Sequence, residues 1–171
     1  FEHLRVWDAM GTNLPATAAA DDLGFRVLKS GTDTFGTAPP HIWTSDAKAA
    51  TVTQRARFTL GLPAEYVDVA AVTLRLMAGM DTTVSDGTAT VDVEAYEATD
   101  AGGVGSDLVT TAATTINSLP AANKDFTIDP AGLAAGDMLD VRITIAITDT
   151  ATGTSVYGHI VKAWLLCNIK G

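Results

Sequence analysis

The sequence predicts an all-β protein: an antiparallel β-sandwich, of the jelly-roll kind, with an extended N-terminal arm. Three observations carry this. Apolar and polar residues alternate with period two in four segments, the mark of strands with one dry and one wet face. Clusters of Gly, Pro, Asp and Ser separate those segments, as the turns of a many-stranded sandwich require. Helical periodicity is nearly absent, and the abundance of Thr and Val suits extended backbone.

In chain order, residues 1–50 read as an arm with the first strands, packed on the same domain, and residues 51–171 as the sandwich body. The arm is rich in Gly, Pro, Ala and Thr and carries isolated aromatics at Trp7, Phe25, Phe35 and Trp43. Leu4–Ala9 and Phe25–Lys29 are weak strand candidates, and Asn13 with Pro15 fits the start of one or two helical turns. In the body, Phe58, Leu60 and Leu62 alternate with Arg57, Thr59 and Gly61. Val72-Thr73-Leu74-Arg75-Leu76, Val91-Asp92-Val93-Glu94-Ala95 and Leu139–Thr148 repeat the pattern. One wet face per strand points to antiparallel sheets.

Asp107–Ile116 reads as a strand on its threonines, although Leu108, Ala112 and Ile116 also fit a helix. Lys124–Ile128 is a short strand. Ser155–Lys170 is apolar in both registers, with Val161, Ala163, Leu165 and Ile169 on one side and Ile160, Trp164 and Leu166 on the other. Such a strand is expected to be covered on both faces or buried against a partner chain. Asp86-Gly87 signals a tight turn inside a longer loop that begins at Asp81. Gly102–Gly105, Asp129–Gly132 and Ala135–Asp137 mark further loops.

Composition narrows the function classes. Hydrophobic residues make up 47% and charged residues 18% of 171, which suits a folded core and not a disordered chain. The net charge is −9, from 11 Lys and Arg against 20 Asp and Glu. A body this acidic repels phosphate, so neither nucleic acid nor an anionic membrane is an expected partner. Arg55 and Arg57 share one strand face but do not by themselves make a basic patch. Cys167, the single cysteine, lies in an apolar run and reads as a small buried hydrophobe. No run reaches the ~18–20 apolar residues of a membrane-spanning helix, and no secretory signal pattern is visible.

Tests for chemistry give nothing. His3, His41 and His159 lie far apart and lack metal-ligand spacing. The flanks of Ser106 and Ser155 do not match a nucleophile elbow, and Gly102–Gly105 is not followed by the Lys and Ser/Thr of a phosphate loop. Asp92 and Glu94 share a strand face, as a glycosidase pair would, but any solvated face shows the same pattern. The loops holding Asp81, Asp86 and Asp149 are rich in oxygen, yet lack calcium-loop spacing. Trp7, Trp43, Tyr66, Tyr96, Tyr157 and Trp164 are scattered, and core or interface packing suits them better than a sugar platform. No enzyme activity, cofactor or metal is expected.

Several stretches carry a family resemblance: Arg57–Val67, Val72–Met80, Ala89–Tyr96, Asn123–Ile128 and Gly136–Arg142, with the opening Leu4-Arg5-Val6-Trp7-Asp8 and Asn13-Leu14-Pro15. Over most of the chain it resembles a family of tailed-bacteriophage virion structural proteins. The resemblance implies a jelly-roll decoration (cement) protein that stabilises a capsid by binding the major capsid protein and sister subunits. It further implies a homotrimer located on the capsid surface and assembled in the host cytoplasm. The interface candidates are then Leu4, Val6, Trp7, Phe35, Ile42, Trp43, Ile160, Trp164 and Leu166. The alternative within the same particle is a head-fibre or receptor-binding module that recognises cell-surface glycans. A β-sandwich hydrolase using Asp92 and Glu94 is the third.

Overall fold

The computed structural model describes residues 22–26, 41–98 and 105–171. They form nine strands: β1 (Gly24–Arg26), β2 (His41–Trp43), β3 (Thr51–Gly61), β4 (Val72–Met80), β5 (Thr88–Ala98), β6 (Thr114–Thr115), β7 (Ala122–Ile128), β8 (Met138–Thr148) and β9 (Gly158–Cys167). One sheet has the order β1-β2-β9-β4-β7 and the other β3-β8-β5-β6, with every pairing antiparallel. From β2 onward the chain passes between the sheets at nearly every connection. This strand order is that of a jelly roll, two Greek keys folded face to face. The predicted arm lies outside the described residues except for β1, β2 and the segment after it.

Alternation builds the core as expected. Leu139, Val141, Ile143, Ile145 and Ile147 of β8 are buried against Val72, Leu74, Leu76 and Met80 of β4 and Val91 and Val93 of β5, all in one apolar cluster. Each such side chain stabilises the fold by about 1.5–3 kcal/mol when fully buried. The even-numbered residues of β8 and β5 consequently face outward, and the flat polar surface they make holds the candidate site.

Two local expectations are corrected. Asp107–Ile116 is neither a continuous strand nor a helix; it contributes β6 and one bridge, Val109 to Ile128. Its own polar side chains take the backbone instead. Asp107 Oδ1 accepts from the Ala95 and Val109 amides, both at 3.0 Å, and Thr111 Oγ1 accepts from Thr127 N at 2.9 Å. Asp86-Gly87 lies in the loop 81–87 that joins β4 to β5 across the two sheets, the longer loop the sequence suggests.

The second correction concerns β9. Met77 pairs with Lys162 but Ala78 pairs with Ile160, so Val161 is an extra residue, a β-bulge. The bulge reverses the facing on either side of it. Ile160 therefore joins Ala163 and Leu165 on the core side, while Lys162, Trp164 and Leu166 face outward. The two-sided apolar pattern is a strand whose register slips by one residue.

The end of the sandwich where β3 leads into β4 is tied by backbone bonds from Leu62 N to Asp137 O (2.8 Å), Val69 N to Leu133 O (3.0 Å) and Val67 N to Asn168 O (2.9 Å). Tyr66 is fully buried there, and its hydroxyl donates to the Ala70 carbonyl. Burial, the first cause, raises its pKa. Tyr66→Phe should lower the unfolding free energy by about 1–2 kcal/mol, because it strips a buried acceptor of its donor. Urea denaturation at neutral pH measures this.

Candidate functional site

The outer face of β3-β8-β5 gathers the residues that carry chemistry. Cross-strand register places Arg57 opposite Arg142 and Arg142 opposite Glu94. One step along, Thr59 is opposite Asp140 and Asp140 opposite Tyr96; one step the other way, Arg55 is opposite Thr144 and Thr144 opposite Asp92. Each is an outward position of an alternating strand.

Two ion pairs hold these rows together: Arg57 reaches diagonally to Asp140, and Arg142 meets Glu94 directly across the strands. Arg57 Nε donates to Asp140 Oδ1 at 2.8 Å and its Nη2 donates to Oδ2, a bidentate fork. Arg142 pairs with Glu94 through both Nε and Nη2, and the Tyr96 hydroxyl donates to the other Glu94 oxygen at 3.4 Å. The hydrogen bond from Arg57 is the main reason the Asp140 carboxyl titrates below its usual range. Desolvation, then the nearby Glu94 and Asp107 charges, push the Tyr96 phenol up. At neutral pH the face thus presents fixed guanidiniums, fixed carboxylates and a neutral phenol.

Arg57, Tyr96, Asp140 and Arg142 line a depression of about 200 Å³. It is smaller than the roughly 300–1,000 Å³ clefts that enclose drug-sized ligands, and it is open to solvent. The face as a whole is charge-balanced: Arg55, Arg57 and Arg142 stand among Asp92, Glu94 and Asp140 in a chain of net charge −9. Arg55 and Arg57 therefore stand on a face of mixed charge and not on a basic patch, even with Arg142 of β8 beside them. The two carboxylates considered for hydrolysis are both engaged. Glu94 is held by Arg142 and Tyr96, and Asp92 Oδ1 accepts from Val93 N at 3.0 Å.

A second cluster sits where β2 meets β9. Trp43 pairs with His159 in register; the rings of His41, Trp43 and His159 pack with centroids 5.0–6.2 Å apart, and Tyr157 meets Trp43 edge-on at 5.9 Å. His159 Nδ1 is buried, with no hydrogen-bond partner among the described residues. Desolvation first, and then the His41 charge, bring its pKa to about 4, against an opposing pull from Asp81. Distance in sequence hid this pair of histidines; β2–β9 pairing puts their rings 5.6 Å apart. Among the described residues no three His, Cys, Asp or Glu side chains gather as a metal site would need.

The interface candidates fall into three groups. Leu4, Val6, Trp7 and Phe35 lie outside the described residues. Ile42 and Ile160 are cross-strand partners in the core, and Trp43 is also buried, at 5% exposure. Trp164 and Leu166 stand outward, 39% and 38% exposed. Cys167 is half-buried and packs against the core.

No protein-family model matches the chain, and no curated protein matches it. Solved structures do. One is TmCBM61 in complex with beta-1,4-galactotriose, 9% identical, with 85% of this chain and 82% of that one covered at a TM-score of 0.48. Another is among the carbohydrate-binding modules of the β-sandwich superfamily, 14% identical, with 88% and 56% covered at 0.41. A CBM4 structure is 16% identical, with 79% and 87% covered at 0.37. At such identities and scores the likeness is one of β-sandwich outline and assigns no ligand. None of these comparisons shows the phage capsid decoration family that the sequence stretches resemble.

Proposed function

We propose that this domain recognises glycans, binding them on the outer face of β3-β8-β5. The depression formed by Tyr96 between two guanidinium–carboxylate pairs supports this reading. A pyranose has a C–H face that packs on an aromatic ring and a rim of hydroxyls that both donate and accept. Arg57 and Arg142 supply donors in a fixed fork, while Asp140 and Glu94 supply acceptors. The ion pairs hold all four side chains in place before a ligand arrives, which reduces the entropy lost on binding. A locally neutral face within an acidic body suits an uncharged sugar better than a phosphate or a polyanion.

A glycan array tests the reading first, followed by calorimetric titration of whichever neutral oligosaccharide binds. Tyr96→Ala should weaken that binding about tenfold, since ring stacking of this kind is worth on the order of 1 kcal/mol or somewhat more. An unchanged affinity would remove Tyr96 from the site.

A second reading, capsid decoration through contacts with a major capsid protein and sister copies, draws on a different surface. Val67, Val69 and Ile169 are 37%, 61% and 62% exposed at one end of the sandwich. Val69 also has a φ of 54°, a costly conformation for a β-branched residue. An apolar tip held in a strained turn suits a packing contact. Under this reading the isolated protein binds expanded phage capsids stoichiometrically and Val69→Asp abolishes the binding. A glycan-binding head fibre would leave that variant's sugar affinity intact.

A further inference from the structure

The opposite face of the sandwich repeats the chemistry of the first in a different strand set. On the outer side of the five-stranded sheet, Trp164 of β9 lies opposite Arg75 of β4, which lies opposite Asp125 of β7. Arg75 Nε and Nη2 donate to the two Asp125 oxygens, both at 2.6 Å. An exposed aromatic therefore stands one strand away from a bidentate guanidinium–carboxylate pair, as on the other face Tyr96 stands beside the Arg142–Glu94 pair. The β9 bulge creates it, by turning Trp164 outward when Ile160 turns in.

We propose that this face is a second glycan site, with Trp164 as the stacking platform and the Arg75–Asp125 pair as the hydroxyl clamp, making the domain bivalent. The inference rests on the glycan reading of the Tyr96 face but concerns separate residues. Trp164 is more exposed than a ring serving only the core, which it does not face, and both clamp side chains are partly open to solvent, at 36% for Arg75 and 45% for Asp125. Lys162 Nζ rests 5.9 Å from the indole centroid. At an exposed site such a contact is worth only about 0.5–1 kcal/mol, so a sugar can displace the ammonium and leave it at the rim as a further hydroxyl donor.

The two platforms sit on opposite sides of two sheets packed about 10 Å apart, so no single sugar ring touches both. Two independent sites on one rigid body bridge neighbouring chains of a polysaccharide and gain affinity by effective concentration, with no new contact.

The test titrates the full chain with neutral β-linked trisaccharides of glucose, galactose and xylose, and with their soluble polymers. For the trisaccharide that binds, calorimetry should give two sites for the wild type, one for Trp164→Ala, one for Tyr96→Ala and none for the double variant. Asp125→Asn, which leaves Trp164 in place, should weaken the second site alone. Apparent affinity for the polymer should fall at least tenfold when either site is lost. A single site that Trp164→Ala leaves unchanged overturns the second site while the Tyr96 reading stands. One site lost in Trp164→Ala but kept in Tyr96→Ala overturns the Tyr96 reading and leaves this one. No binding by any probe overturns both. Sedimentation supplies the remaining arm: an oligomer that Trp164→Ala converts to monomer marks a packing surface and overturns the proposal.

Discussion

Gly87→Ala is expected to destabilise the protein by about 3 kcal/mol or more, among the larger effects a single methyl group can have. A Cβ at this position would stand 1.8 Å from the Thr148 carbonyl oxygen and 2.8 Å from its carbon. Both are backbone atoms of β8, the strand held between β3 and β5, so they cannot yield as a side-chain tip would. Gly87 is not in the left-handed region; the requirement is space alone. The loop is pressed onto β8 by Thr150 Oγ1, which donates to Asp86 O at 2.9 Å, and by Asn117, which bonds the Val84 amide and carbonyl. Thermal unfolding should show a much lower midpoint for the variant, whereas Gly153→Ala, where a Cβ meets nothing within 4 Å, should be close to neutral.

Acid is expected to act through His159. Its pKa in the folded protein, about 4, is below the ordinary value of 6.5. Below pH 6.5 the unfolded chain therefore binds the proton that the folded chain refuses, and stability falls with pH from about 6.5 down to about 4. After a discount for the solvent that still reaches the ring, the loss is about 2 kcal/mol. His41, stacked on it and also held below its ordinary value by burial, adds in the same direction. Asp81 and Tyr157 are the other polar groups on this side, and the Asp81 charge moderates the effect.

The weak point is β2, joined to β9 by only two register pairs. Urea midpoints at pH 7 and pH 4.5 should separate more for the wild type than for His159→Gln. Equal separation would place the acid sensitivity elsewhere. The carboxylates with lowered pKa values, Asp46, Asp125 and Asp140, act with the same sign in a lower pH window: their contribution is present above about 3.8 and is lost as pH falls further. The difference between wild type and variant isolates the imidazole.

What the sequence made legible follows from which forces are local. The alternation in β3, β4, β5 and β8 predicted each strand because a half-buried strand writes its two faces into successive residues. It also showed that Arg57, Glu94, Asp140 and Arg142 point outward, whereas Tyr96, read as a core or interface residue, stands on the same outer face. Their adjacency was not legible, since register between strands far apart in the chain is set by packing across the whole sandwich. For the same reason Arg57 with Arg142, and His41 with His159, looked like isolated residues. The bulge at Val161 was hidden because a one-residue slip in an apolar strand leaves an apolar strand. In Asp107–Ile116 the threonines that suggested strand, with Asp107, instead bond backbone groups of neighbouring strands. Trp164, an interface candidate in the sequence, stands outward, but Ile160, assigned to the same side, is core.

The most direct test of the central claim is a two-dimensional amide NMR titration of the full chain with a neutral oligosaccharide selected on a glycan array. The account predicts that shifts appear at Arg57, Thr59, Glu94, Tyr96, Asp140 and Arg142, the contiguous outer face of β3-β8-β5. Saturating glycan that leaves this face unperturbed, with shifts confined to other surfaces or absent altogether, would contradict it.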